Sequence, residues 1–268
     1  MKRIRLDLSY DGRDFHGFQS QPDGCTIQDA IEQALNIASK GSSRITTASR
    51  TDSGVSAEHQ VNTCEVPMGT DLFKLKRSLN GLLPKSIRIQ SVSEVANDFH
   101  PGFSAKAKIY RYRIWVGECC DPFCLPFVWE LKFAFDIEKL NENLSLYVGK
   151  HDFKAFSNMG TDVKSTEREI FAIALERRGP LLNIWILGDG FLKQMIRNMV
   201  GTSIDICIGK LGVSLPELLK GKDRLESGRT APASGLGLVR IFYDAVPDLK
   251  EFIREYNSSG TFIVGGAI

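Results

Sequence analysis

A chain of 268 residues, 43% hydrophobic and 25% charged, can bury a sizeable core as one large domain or two smaller ones. A formal net charge of +2 excludes a uniformly basic molecule, so any surface suited to nucleic acid must be local. No apolar run is long enough to cross a bilayer, and Met1-Lys2-Arg3-Ile4-Arg5 lacks the apolar stretch of a signal peptide, so the expected compartment is the cytoplasm with no membrane contact.

Residues 4–10 alternate apolar and polar, the pattern of a half-buried strand. Asp11-Gly12 ends it, and a polar loop runs to Gly24 with Phe15, His16, Phe18, Gln19 and Gln21. Such a loop either contacts bases or packs on its own aromatics. Thr26 suits the cap of the next helix, with Asp29 completing a short capping box. Ile27, Ile31, Ala34, Leu35 and Ala38 form its apolar stripe, and Gly41 suits its C-terminal end. Residues 44–48 and 59–66 read as strands around a polar stretch, Ser49-Arg50-Thr51-Asp52-Ser53-Gly54-Val55-Ser56-Ala57-Glu58. A helix from Asp71 to Leu83 presents Leu72, Leu75, Leu79 and Leu82 on one face and stops at Pro84; residues 86–95 alternate again. Strand, helix, strand, strand, helix, strand is the split βαβ, or ferredoxin-like, order.

The order then recurs without an obvious sequence repeat. Residues 105–116 read as a strand. Asp136 caps a helix carrying Ile137, Leu140, Leu144 and Val148, which Gly149 ends. Residues 168–176 and 181–187 form a hairpin around Arg178-Gly179-Pro180. A long helix runs from about Phe191 to Ile208, and residues 236–243 make a last strand. The expected organisation is an N-terminal half, 1–104, a C-terminal half, 105–247, and a tail, 248–268, offering a short helix and a glycine-rich apolar end. Two such halves would leave a cleft between them.

Several stretches could carry chemistry. Asp52 sits in a turn with Arg50 two residues back, so it suits an ionised nucleophile, although Thr-Asp-Ser-Gly is also ordinary turn chemistry. Lys106, Lys108, Tyr110 and Tyr112 share one face of a strand, cations beside aromatics, which suits an RNA backbone with unstacked bases or a solvated strand face with the two tyrosines packed at its base. Lys193 and Arg197, four apart on the long helix, share a face on which an Arg can hold a carboxylate or a phosphate or simply lie at the surface. His151-Asp152 has no nucleophile elbow to serve, no P-loop occurs, and Gly235-Leu236-Gly237-Leu238 lacks the spacing of a dinucleotide site. The six cysteines contain no Cys-x-x-Cys pair, so a metal is not expected.

Taken together, segments in order along residues 8–243 resemble one family. They are Tyr10-Asp11-Gly12 with Phe15, Gly17, Gln19 and Gln21; Ser49 to Gln60; Phe99-His100 with Phe103-Ser104-Ala105 and Tyr110-Arg111-Tyr112; His151-Asp152-Phe153 with Phe156; Gly190-Phe191-Leu192 with Met195, Arg197, Asn198 and Val200-Gly201; and Ala231-Pro232-Ala233 with Gly235-Leu236. The series is similar to the TruA family of tRNA pseudouridine synthases. Ser49 and Ser53 stand where that family usually has Gly and Ala, Ser56 where it has His, and Gly102 where it has Arg. The roles of that His and Arg are not carried over.

The resemblance implies a pseudouridine synthase fold of the α/β (α+β) class, two ferredoxin-like halves with a mixed sheet around a central basic cleft. It implies a homodimer, without cofactor or metal, that isomerises uridine at positions 38, 39 and 40 in the anticodon stem-loop of tRNA. Asp52 matches the catalytic aspartate, whether it attacks ribose, attacks base or assists elimination. Arg50 would fill the space of the flipped base or bind its phosphate, Tyr110 would stack on the uracil, and Arg197 would keep the aspartate charged. The rival expectations are a non-catalytic RNA-binding protein and a phosphoryl- or acyl-transfer enzyme using Asp52.

Overall fold

The alternation at the N-terminus forms β1 (Lys2–Tyr10), with Ile4, Leu6, Leu8 and Tyr10 buried. The computed structural model describes residues 1–39, 43–158, 164–221 and 223–259. The chain divides into two units: Met1–Lys106 with Gly237–Asp244, and Ala107–Leu236 with Ala245–Ile268.

In the first unit β1 is followed by α1 (Ile27–Ser39), β2 (Thr46–Thr47), β3 (Ser56–Val66), α2 (Leu72–Leu82) and β4 (Ile87–Glu94). The strands pair antiparallel in the order β4-β1-β3-β2, the arrangement the element order implies. Thr26 Oγ1 accepts the Asp29 N–H at 3.2 Å, so the capping box forms; Gly41 lies outside the described residues. The buried stripes are Ile27, Ile31, Ala34 and Leu35 on α1, and Leu75 and Leu79 on α2. Leu82 is exposed and Leu83 is buried in its place, because Leu83 turns extended as the helix ends.

A polar cluster joins β1, β3 and β4. Arg5 and Ser91 donate to Asp7 at 2.6 Å each, and His59 Nε2 lies 2.9 Å from Asp7 Oδ1. His59 Nδ1 accepts the Ile241 N–H at 3.3 Å, which leaves its proton on Nε2 to donate to Asp7. Burial alone would raise the Asp7 pKa, but the hydrogen bonds from His59, Arg5 and Ser91 outweigh it and hold the carboxyl well below the usual range. A depressed native pKa stabilises the fold above the ordinary carboxylate pKa of about 3.9 and loses that contribution as pH falls through the native value. Asp7→Asn should therefore cost about 1–3 kcal/mol at neutral pH. In urea unfolding the gap from wild type should shrink in strong acid; an unchanged gap would refute the linkage.

In the second unit β5 (Ala107–Val116), β6 (Trp129–Leu131), α3 (Ile137–Ser145), β7 (Gly149–Asp152), β8 (Glu167–Arg178), β9 (Leu181–Gly188), α4 (Met195–Cys207) and α5 (Leu215–Gly221) follow in order. The strands run β5-β9-β8-β7, all antiparallel, and β6 lies parallel to β5. Gly179, at φ 56°, and Pro180 make the two-residue hairpin turn between paired Arg178 and Leu181. Asp136 caps α3 as expected, accepting from the Glu138 and Lys139 N–H groups. The helix ends at Ser145, short of Gly149, so Val148 is exposed and His151-Asp152 lie in β7.

Three expectations change here. The long helix begins at Met195, four residues later than its apolar pattern suggests, because Gln194 adopts a left-handed φ of 60°. Lys193 is therefore off the helix and does not share a face with Arg197. The face expected on β5 is only partly solvated: Lys106, just ahead of the strand, is exposed, whereas Lys108 is 8% exposed, Tyr110 5% and Tyr112 0%. Burial, with Arg168 nearby, lowers the Lys108 pKa to about 8 against the pull of Asp189. Finally, the last strand, β10 (Leu236–Phe242), falls mostly in the first unit, where Gly237 and Leu238 pair parallel with Ser56 and Ala57 of β3.

After β10, α6 (Leu249–Ser258) starts on an Asp248 cap and lays Phe252 and Tyr256 against Trp185 of β9. Arg111 lies over the rings of Trp185 and Tyr256 at 5.0 and 5.2 Å, so one strand cation is used in packing. The glycine-rich end, 260–268, lies outside the described residues. Cys120 and Cys124 pack with Trp115 and Val128 as small hydrophobes. Among the described residues no three His, Cys, Asp or Glu side chains gather as a metal site, and no helix is long and apolar enough to cross a membrane.

Candidate active site

The stretch from Ser49 to Val55 joins β2 to β3 and is held from two sides. Beneath it, Tyr10 Oη and Thr51 Oγ1 share a hydrogen bond of 2.8 Å. Gln60 Nε2 donates to Ser49 O at 2.7 Å and reaches Tyr10 Oη at 3.4 Å, while its Oε1 accepts the Val61 N–H. Tyr10 and Gln60 are buried, and burial pushes the Tyr10 phenol up to about 12, so it stays protonated. A buried polar network of this kind is costly to disturb, since each lost partner leaves an unsatisfied group.

From the other side, residues 12–18 clasp the loop. Phe18 N–H donates to Thr51 O at 3.1 Å, Ser53 Oγ to Phe15 O at 3.2 Å, and Gly12 N–H to Ser56 Oγ at 3.0 Å. Gly17, at φ 94°, brings its backbone so close that a Cβ would lie 3.1 Å from Thr51 O. At Gly12 a Cβ would sit 2.1 Å from Val55 O. Phe18 is buried and packs its ring 6.1 Å from that of Tyr10, whereas Gln19 and Gln21 are exposed. The loop therefore packs on an aromatic and leaves its amides outward.

Within this clasp Val55 N–H closes a turn onto Asp52 O at 3.1 Å, and Gly54 supplies the positive φ, 79°. Asp52 is half-buried and Arg50 is exposed. A carboxylate whose backbone is fixed at both edges can act on a substrate without reorganising first. Ser56, standing where the resembled family has His, accepts the Gly12 N–H and so ties strand to clasp. Gly102, standing where it has Arg, lies in a tight turn in which His100 Nδ1 accepts the N–H groups of Gly102 and Phe103 at 3.1 Å each.

In the second unit Tyr110 sets its ring edge-on to Phe191, with centroids 5.1 Å apart. Tyr112 Oη donates to Pro232 O at 2.8 Å. Arg197 lies in the first turn of α4, half-buried, with Nε donating to Ala231 O at 2.8 Å; Ala231 N–H returns a bond to Arg197 O at 3.0 Å. The segment before Ala231 lies directly on α4, for a Cβ at Gly201 would be 1.9 Å from Arg229 O. Arg50 and Asp52 thus share one loop of the first unit, and Tyr110 and Arg197 belong to the second.

Sequence reading missed the Tyr10–Thr51–Gln60 network. Alternation does place Tyr10 on the buried face of β1, but nothing local points from it to a threonine 41 residues away.

Residues 144–244 match a family model described as tRNA pseudouridine synthase. A protein of Geobacter sp. (strain M21) named tRNA pseudouridine synthase A is 38% identical over 245 residues, covering 91% of this chain and 99% of that one. Proteins of the same name from Solidesulfovibrio magneticus and Acetivibrio thermocellus are 39% and 36% identical, each over 91% of this chain and over 92% and 100% of their own lengths.

Proposed function

The chain belongs to the tRNA pseudouridine synthase A family, and from that membership we propose that it isomerises uridine at positions 38, 39 and 40 of the tRNA anticodon stem-loop, with Asp52 as the nucleophile. It is an isomerase acting on tRNA, with the α+β pseudouridine synthase fold. The observation that carries the finer reading is the position of Asp52: a half-buried carboxylate in a turn held by Tyr10, Thr51, Gln60 and the 12–18 clasp.

The reaction breaks the N1–C1′ bond, turns the uracil, and forms a C5–C1′ bond. The C5 hydrogen leaves as a proton and N1 gains one, so composition and oxidation state are unchanged and the balance requires no redox cofactor. The target base must leave its stack to be reached. Arg50, exposed beside Asp52, fills the vacated space or binds the adjoining phosphate. Tyr110, set rigidly against Phe191, supplies an aromatic wall for the uracil. Arg197 supplies positive charge that favours the ionised carboxylate. We also propose that the enzyme works in the cytoplasm as a homodimer, which sedimentation of the purified protein tests.

The function itself is tested by tritium release from tRNA labelled with [5-³H]uridine, followed by mapping of the modified positions. Release confined to positions 38–40 is the expected result. Tight tRNA binding with no release would favour a non-catalytic RNA-binding protein instead.

A further inference from the structure

We propose that Arg224 is a positioning residue for the reaction, acting through Arg197: it locks the segment carrying Ala231 onto the first turn of α4 and so orients the Arg197 guanidinium. The inference rests on the role given above to Arg197.

A guanidinium has five N–H donors in a fixed fork. Arg224 places all of them. Nε donates to Asn158 Oδ1 at 3.0 Å; Nη1 to Ser227 Oγ at 2.6 Å and Gly228 O at 3.1 Å; Nη2 to Asn198 Oδ1 at 2.9 Å and Thr230 Oγ1 at 2.9 Å. No carboxylate is among these partners, and burial lowers the Arg224 pKa. A half-buried cation whose partners among the described residues are all neutral oxygens is an expensive way to brace a loop, because none of those partners neutralises its charge. Its use here follows from geometry, since no other side chain offers five donors in one plane.

The acceptors fall into two groups. Ser227, Gly228 and Thr230 precede Ala231, whose carbonyl receives Arg197 Nε. Asn158 and Asn198 fix the start of α4. Asn198, fully buried, donates to Phe156 O at 2.8 Å and to Asn158 Oδ1 at 3.1 Å, and its own Oδ1 also accepts from Thr230 at 2.7 Å. Asn158 Nδ2 in turn donates to the side chain of Gln194, the left-handed residue from which α4 begins. Arg224 therefore bridges the two supports of Arg197: the helix turn it stands on and the carbonyl that aims it. The reverse side of the segment is tied independently, by Gly228 N–H to Thr202 Oγ1 at 3.0 Å and Arg229 N–H to Asp205 at 2.9 Å. Loss of Arg224 should shift the segment without unfolding it.

The test is a double-mutant cycle on the single-turnover rate of pseudouridine formation, with tRNA affinity measured alongside. Arg224→Lys keeps the charge but cannot reach both groups of acceptors. It should slow the chemical step by about 100-fold, the scale of a misplacement of roughly 1 Å, with tRNA affinity little changed. Arg197→Lys should also be slow, and the double variant should be no slower than Arg197→Lys alone, because the two losses are one loss. If Arg197→Lys keeps the wild-type rate, the role of Arg197 fails and the proposal falls with it. If Arg197→Lys is slow but Arg224→Lys is not, or if their losses multiply, the positioning role alone is overturned. Should Arg224→Lys fail to fold, Thr230→Val removes one acceptor on the Ala231 side. A slowed rate absorbed by the Arg197→Lys background supports the proposal, and a wild-type rate overturns it.

Discussion

Asp52→Asn should abolish tritium release from [5-³H]uridine-labelled tRNA while leaving the RNA bound. Removing a reacting group of this kind costs on the order of 10⁴-fold or more in the chemical step, about 5.5 kcal/mol of transition-state stabilisation. The substitution keeps shape but removes the charge and nucleophilicity and exchanges one acceptor oxygen for an N–H donor group. The backbone that presents residue 52 is held by bonds that do not use its carboxylate: Val55 N–H to Asp52 O, Phe18 N–H to Thr51 O, and Gln60 to Ser49 O. The loop should therefore survive, and affinity for tRNA, dominated by backbone contacts, should change little. A variant that releases tritium at the wild-type rate would remove Asp52 from the mechanism. One that loses binding and release together would make it a structural residue of the loop.

Gly12→Ala should damage both stability and rate, although residue 12 carries no reactive group. Its Cβ would lie 2.1 Å from Val55 O, and the obstruction is backbone, not the movable end of a side chain. Relief requires the clasp to move away from the Asp52 turn, and the Gly12 N–H bond to Ser56 Oγ would stretch with it. The expected cost is about 3 kcal/mol in stability and about 100-fold in rate from misplacement of the carboxylate. Gly69→Ala is the control, since a Cβ there meets nothing within 4 Å. Thermal unfolding and single-turnover rates of the two variants check this; equal behaviour would show that the clasp does not hold the turn.

The elements that sequence reading placed well are those specified by near neighbours. The Thr26-Asp29 box, the Asp136 cap and the Gly179-Pro180 turn each depend on residues within a few positions, and all form. The errors arose where a local pattern was true but incomplete. Apolar spacing extends back to Leu192, yet one left-handed residue, Gln194, starts α4 later. Period two correctly put Lys108 and Tyr110 on one face of β5, but periodicity does not say whether that face meets water or protein, and both are buried.

For the candidate site, the sequence by itself determined the identity of the groups: a carboxylate at 52 in a glycine turn, a cation at 50, an aromatic at 110, a guanidinium at 197, in an order that resembles one family. Only the tertiary structure decided what holds them. Tyr10 meets Thr51 across 41 positions, Arg224 meets Asn158 across 66, and His59 meets the backbone of β10 across 182. The physical reason is the range of the information. Caps, turns and periodicity are set by residues that are neighbours along the chain, whereas a hydrogen bond across a sheet or between a loop and a helix depends on where distant segments come to rest. The sequence supplies both partners of such a bond, and only folding pairs them.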